Sequence, residues 1–161
     1  MLSSLFLSKN QKLVKKWTRE HEEIVVLTNQ VLAEYSKNKH KDAKKILIKL
    51  NNILVDHVTH ENIEFYKLLK DETRVSINNR KATEEFVDTF KGMRLDLMKF
   101  LTHYTKKTTD LDDEFFDTLN GISDVLQERI DFEERNLYSL LSISKSEERR
   151  QAKEWEYLKQ F

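Results

Sequence analysis

Cysteine and proline are both missing from this chain of 161 residues, and glycine occurs only at Gly92 and Gly121. Without cysteine there is no disulfide, no thiolate metal site and no cysteine nucleophile. Without glycine-rich turns there is no phosphate-cradling loop, and the α/β folds built on such turns fall with it. Net charge is missing too: 28 Lys and Arg offset 28 Asp and Glu. A nucleic-acid binder normally carries a basic excess, so direct contact with nucleic acid is not expected. No apolar run approaches the roughly 18 residues a membrane span needs. The apolar cluster Leu2, Leu5, Phe6, Leu7 lacks a preceding positive region and a small-residue cleavage site, so it does not read as a secretory leader. The expectation is a cytoplasmic protein with no membrane contact. No nucleophile elbow or readable nucleophile–base pair is present, so catalysis is not expected.

What remains is a helix-forming composition. Apolar residues make up 39% and charged residues 35%, enough to bury one core and keep a solvated surface. Four segments repeat apolar residues at three- and four-residue spacing, the period of a helix with one buried face. The first, about 10–36, carries Leu13, Trp17, His21, Ile24, Thr28, Val31 and Tyr35. The second, about 42–70, carries Ala43, Leu47, Leu50, Leu54, His57, Glu61, Phe65 and Leu68. The third, about 82–106, carries Phe86, Phe90, Met93, Leu97, Phe100 and Tyr104, with His103 at the edge of the stripe. The fourth, about 112–141, carries Phe115, Leu119, Ile122, Leu126, Arg129, Glu133, Leu137 and Leu140. Short polar breaks separate them, which favours antiparallel neighbours. The predicted fold is all-α: an antiparallel up-down-up-down four-helix bundle over 1–142. A charged C-terminal helical tail follows over 143–161, with Trp155, Leu158 and Phe161 along one side, free to dock on the bundle or on a partner.

The polar residues inside these stripes carry the functional signal. His21, His57, Glu61, Arg129 and Glu133 stand where a bundle normally places leucine. Burying a charge whose partner is missing costs about 3–5 kcal/mol, so such residues imply one another as partners. Residues four apart share a helix face, which pairs His57 with Glu61 and Arg129 with Glu133. The segments HVTHENIEFYKLL (57–69) and RIDFEERNLYSLL (129–141) also echo one another. Glu, a large apolar residue, Tyr and Leu fall at matching positions. The second and fourth helices therefore read as quasi-equivalent.

One histidine from the first helix, a His-x-x-x-Glu from the second, and one histidine from the third resemble the hemerythrin-like HHE cation-binding family. That resemblance implies a four-helix bundle with iron held by His21, His57, Glu61, His103 and Glu133. His60 also starts a His-x-x-x-Glu, but the Phe65, Tyr66, Leu69 register favours the pair starting at His57. The family's sixth ligand position holds Arg129, which has donors only and cannot ligate. Its positive charge, four residues from Glu133, would repel a second metal. The alternatives are a mononuclear site or a closed polar network of Arg129, Glu133, Glu61 and the histidines.

The arginine also fits a second family. The segment KLVKKWTREHEEIVVL (12–27) resembles the first helix of the Rsd/AlgQ anti-sigma regulators, through Lys16-Trp17, Glu20, Glu23 and Ile24. Leu54, Asp56, Val58 and Tyr66 are similar to that family's second-helix signature, and Arg129, Glu133 and Glu134 to its fourth. This resemblance implies a transcription regulator that binds the primary sigma factor of RNA polymerase by protein contact, with no cofactor. The sigma-binding reading leads at this stage, with no metal as the main expectation. The iron-binding protein for oxygen, nitric oxide or iron sensing is the alternative.

Overall fold

The computed structural model describes residues 7–70, 77–141, 150, 153–154 and 156–160. Every regular element among them is helical. The order is α1 (Lys9–Ser36), α2 (His40–Lys70), α3 (Ile77–Tyr104), α4 (Asp113–Phe132), a π-helical turn (Glu133–Leu137) and α5 (Tyr138–Leu141). The helix starts are written in local chemistry. Ser8 accepts from Gln11 N at 3.1 Å while the Gln11 side chain returns to Ser8 N at 2.9 Å, a reciprocal capping box. Asp112 accepts from Phe115 N at 2.8 Å and from the Tyr104 hydroxyl at 3.0 Å, so it both caps α4 and ties it to the end of α3. Between α1 and α2 the chain turns in three residues, with Asn38 at φ 60°, a left-handed position that asparagine tolerates. Such a short turn forces the two helices antiparallel.

The stripes expected on α1 and α2 are the buried ones, with His21, His57 and Glu61 buried among them. The core divides in two. One cluster runs from Ile24 and Val31 through Leu47, Leu50, Leu54, Phe100 and Leu101 to Phe115 and Leu119. The other gathers Trp17, Phe65, Leu68, Phe86, Leu137, Tyr138 and Leu141. Between them lies a layer of buried polar residues: His21, His57, Glu61, Arg129 and Glu133.

Packing is close along α1–α2, α2–α3 and α1–α4, and loose along α3–α4. Aromatic stacks pin α3 to α4 at both ends, Phe86 on Phe132 at 4.4 Å and Phe100 on Phe115 at 5.5 Å. Between those pins the helices part. Phe90, Met93 and Leu97, expected as core, are only half-buried and line a groove of about 320 Å³. In the tail, Leu158 is 64% exposed, so it does not dock on the bundle. Trp155 and Phe161 lie outside the described residues. No helix among the described residues is long and apolar enough to cross a membrane.

Gly121 sits inside α4 at the edge of the groove, and a β-carbon added there meets nothing within 4 Å. A mid-helix glycine costs about 0.5–1 kcal/mol relative to alanine. Gly121→Ala is therefore expected to stabilise the bundle by roughly that amount, read as a higher midpoint in chemical denaturation. An unchanged or lowered midpoint refutes the open space described here.

Candidate metal centre

Helix periodicity delivers the site from three helices. Trp17, His21 and Ile24 share the inner face of α1, so His21 is presented inward with the apolar residues around it. His57 and Glu61, four residues apart on α2, point the same way. Arg129 closes α4 and Glu133 opens the π turn, and Arg129 Nε donates a hydrogen bond to Glu133 Oε1. His21, His57, Glu61 and Glu133 each offer one ligand-type atom, and these atoms all lie within 4.8 Å of one another.

The ring orientations are set from outside. His57 Nδ1 contacts Glu20 Oε2 at 2.7 Å, and His21 Nδ1 contacts Glu134 Oε1 at 2.9 Å. With each Nδ1 engaged by a carboxylate, each Nε2 is turned toward the centre of the layer. There His21 Nε2 lies 3.1 Å from Glu133 Oε2 and 3.5 Å from Glu61 Oε1, and His57 Nε2 abuts Glu61 Oε1. Three of these inward atoms, His57 Nε2, Glu61 Oε1 and Glu133 Oε2, are buried with no hydrogen-bond partner. A neutral imidazole donating from Nδ1 presents a lone pair at Nε2. Lone pairs and carboxylate oxygens converging in a dry layer repel unless a cation sits among them. The donor set is imidazole and carboxylate, which suits iron and similar divalent metals. A carboxylate on the outer nitrogen of each histidine is the usual support for a metal-binding ring. The residues therefore fit a metal ion.

Protons respond to the same field. Burial works against a charge on His21, but the carboxylates of Glu133, Glu61 and Glu134 around it outweigh that, and its pKa is pushed up to about 10. Burial would raise Glu61, yet His21 and His57 hold it well below the usual carboxylate range. Glu133 is pushed up to about 7 by burial and then by the charge of Glu61. Burial, followed by the two glutamates, also raises Tyr138 far above the phenol range. The Tyr138 hydroxyl donates to Glu61 Oε2 at 3.2 Å and faces His21 Nε2 at 3.0 Å, with its ring stacked on the His21 ring at 5.5 Å.

Four of the five histidine and glutamate positions expected from sequence meet in this layer. The fifth, His103, does not. It is exposed, one position off the buried stripe, and packs edge-on against Tyr104 at 4.6 Å. The α3 residues at the level of the cluster are Phe86 and Phe90, which lie 5.6 and 5.1 Å from the Arg129 guanidinium carbon. At 1.5 Å rise per residue, His103 is about 20 Å beyond Phe90 along the helix. In the second His-x-x-x-Glu of α2, His60 is exposed, so the pair starting at His57 holds the inner face.

Sequence reasoning left three residues out of the site. Glu20 and Glu134 stand next to stripe residues, and an acidic residue adjoining His21 or Glu133 was the signal available for them. Tyr138 was hidden by the π turn. Its counterpart in the internal echo, Tyr66, is 60% exposed on the regular helix α2, whereas Tyr138 is 3% exposed. The wider π turn advances the buried face by about one residue, so Tyr138 and Leu141 turn inward instead of Leu140 alone.

The comparisons with known proteins agree with the donor set. The family model for the hemerythrin HHE cation binding domain matches residues 12–141. No curated protein and no solved structure matches the chain. Nothing here supports the Rsd/AlgQ resemblance or the anti-sigma function drawn from it. The expectation that no cofactor is bound is also overturned, by the family match and by the buried His/Glu cluster. Arg129 misled because it cannot ligate a metal, yet its bond to Glu133 places it in the same layer as the His/Glu cluster.

The raised pKa of His21 gives the metal-free protein a defined pH dependence. A proton held more tightly in the folded state contributes stability that is fully present below the unfolded pKa of 6.5 and is lost as pH rises through about 10. The melting temperature of metal-free protein is expected to fall across that interval, and His21→Gln is expected to flatten the slope. A flat wild-type profile refutes the assignment.

Proposed function

The chain belongs to the hemerythrin HHE cation-binding domain family, and from that premise we propose that it binds a single iron ion between its two cores. Its role on this reading is that of a non-catalytic sensor of iron, oxygen or nitric oxide. The observation that carries the reading is the inward convergence of His21, His57, Glu61 and Glu133 with three of their atoms left unsatisfied. Glu20 and Glu134 hold the two rings in place from outside. Iron, when bound, supplies a one-electron redox couple and an affinity for small ligands. The chain's own residues bind and orient it, and the surrounding aromatic cluster of Trp17, Phe65, Phe86 and Tyr138 keeps water from the layer.

The preference for one ion over two rests on Arg129. Its guanidinium is buried, bonded to Glu133 and permanently charged. It occupies the place where a second metal would need a ligand, and it supplies the positive charge that a second metal would bring.

Elemental analysis of untagged protein expressed with iron available is expected to find about one equivalent per chain. Removal of the iron should lower the melting temperature, because an ion that binds only the folded state stabilises it. His57→Ala and Glu61→Ala are expected to lose the metal. Two equivalents in the wild type overturn the single-ion assignment, and none overturns the function. Glu20→Gln and Glu134→Gln leave every ligand in place, and each is expected to weaken iron affinity by about 10–100-fold. Wild-type affinity in both variants refutes the supporting role given to these carboxylates.

A further inference from the structure

The groove between α3 and α4 is a second feature of the molecule, separate from the metal layer and touching it at one residue. Its walls are apolar: Phe90, Met93, Leu97 and Phe100 from α3 face Ile122 and Val125 from α4. Its volume of about 320 Å³ lies at the lower end of small-molecule sites. At about 30 Å³ for each water-sized group, that is room for roughly ten non-hydrogen atoms. The two aromatic stacks join the helices on either side of the opening, so it is built into the bundle rather than left by a loose end.

Its inner end is Arg129. This residue lines the groove and is only 7% exposed. Among the described residues its guanidinium makes one hydrogen bond, through Nε to Glu133. A guanidinium has five N–H donors, so the terminal edge is left without a protein hydrogen bond among the described residues, on a side chain that is itself nearly buried. The faces of Phe86 and Phe90 cushion the cation but satisfy none of its N–H groups. Arg94 also lines the groove, and Asp96 and Thr118 complete its polar lining. An occupant that satisfies both features is apolar along its length and anionic at one end. A carboxylate fits best, because its two oxygens match the paired N–H groups of a guanidinium edge.

We propose that the α3–α4 groove binds a small apolar carboxylic acid, with its chain between Phe90, Met93, Leu97 and Val125 and its carboxylate on the terminal edge of Arg129. Gly121 provides a test that leaves the metal layer alone. It lines the groove, and space is open around the position its β-carbon would take. Gly121→Leu therefore fills the groove while improving helix propensity, so the variant is expected to fold.

The experiment is calorimetric titration of the full-length protein with octanoate and, in parallel, with octanol. Both have the apolar chain, and only the first has the charge. Octanoate is expected to bind at least about tenfold more tightly than octanol. Gly121→Leu is expected to weaken octanoate by about tenfold or more with no fall in melting temperature. Arg129→Gln should remove the preference for octanoate over octanol. Equal binding of the two probes overturns the role of Arg129. Wild-type affinity for octanoate in Gly121→Leu overturns the location, and no binding of octanoate overturns the proposal. Iron content, measured on the same samples, reports separately on the metal site.

Discussion

Everything distinctive about this bundle depends on four side chains aimed at one point in a dry layer. His21, His57, Glu61 and Glu133 would be a liability as isolated buried groups. They are tolerable because each supplies what another lacks, and because Tyr138, Arg129, Glu20 and Glu134 close the contacts around them. The layer still does not close on itself. Three inward atoms have no partner, and the extra proton that His21 retains up to about pH 10 marks the attraction of the place for positive charge. A metal ion is the cation that such a donor set suits best.

The layer also sets how the two cores are arranged. Trp17, Phe65, Leu137 and Tyr138 pack on one side of it, and Ile24, Leu54, Val58 and Leu126 on the other. The π turn belongs to this constraint. It begins at Glu133, so the helix widens just where the cluster takes its last ligand-type residue, and the widening brings Tyr138 under His21. A π turn at a functional site follows a common pattern, since the irregular register costs helix stability and is kept where it aims a side chain. On the α3 side the same layer meets phenylalanines rather than a ligand. Arg129, lying against them, is the wall shared by the metal layer and the groove.

Much of this was legible in the residues. The stripes of α1 and α2 matched burial nearly position for position, because a long amphipathic helix has one way to bury its apolar face. His57 with Glu61 and Arg129 with Glu133 were paired by spacing alone, for the same geometric reason. His103 was misplaced because helical spacing states which face a residue occupies and not at what height it meets its neighbours. The sigma-binding reading failed differently. It rested on scattered Trp, Arg and Glu positions, whereas the family match extends over residues 12–141.

Composition and periodicity alone determined an all-α bundle, its four long helices and the identity of the polar residues that interrupt their faces. These follow from backbone hydrogen bonding and from the burial of apolar stripes, which act locally along the chain. Only the tertiary structure decided which of those polar residues meet, that Glu20 and Glu134 orient the histidines, that Tyr138 turns inward, and that α3 and α4 part to leave a groove. Those outcomes depend on axial offsets between helices, on one irregular turn and on two aromatic stacks. Each arises from packing between segments distant in sequence, so no period within a single helix encodes it.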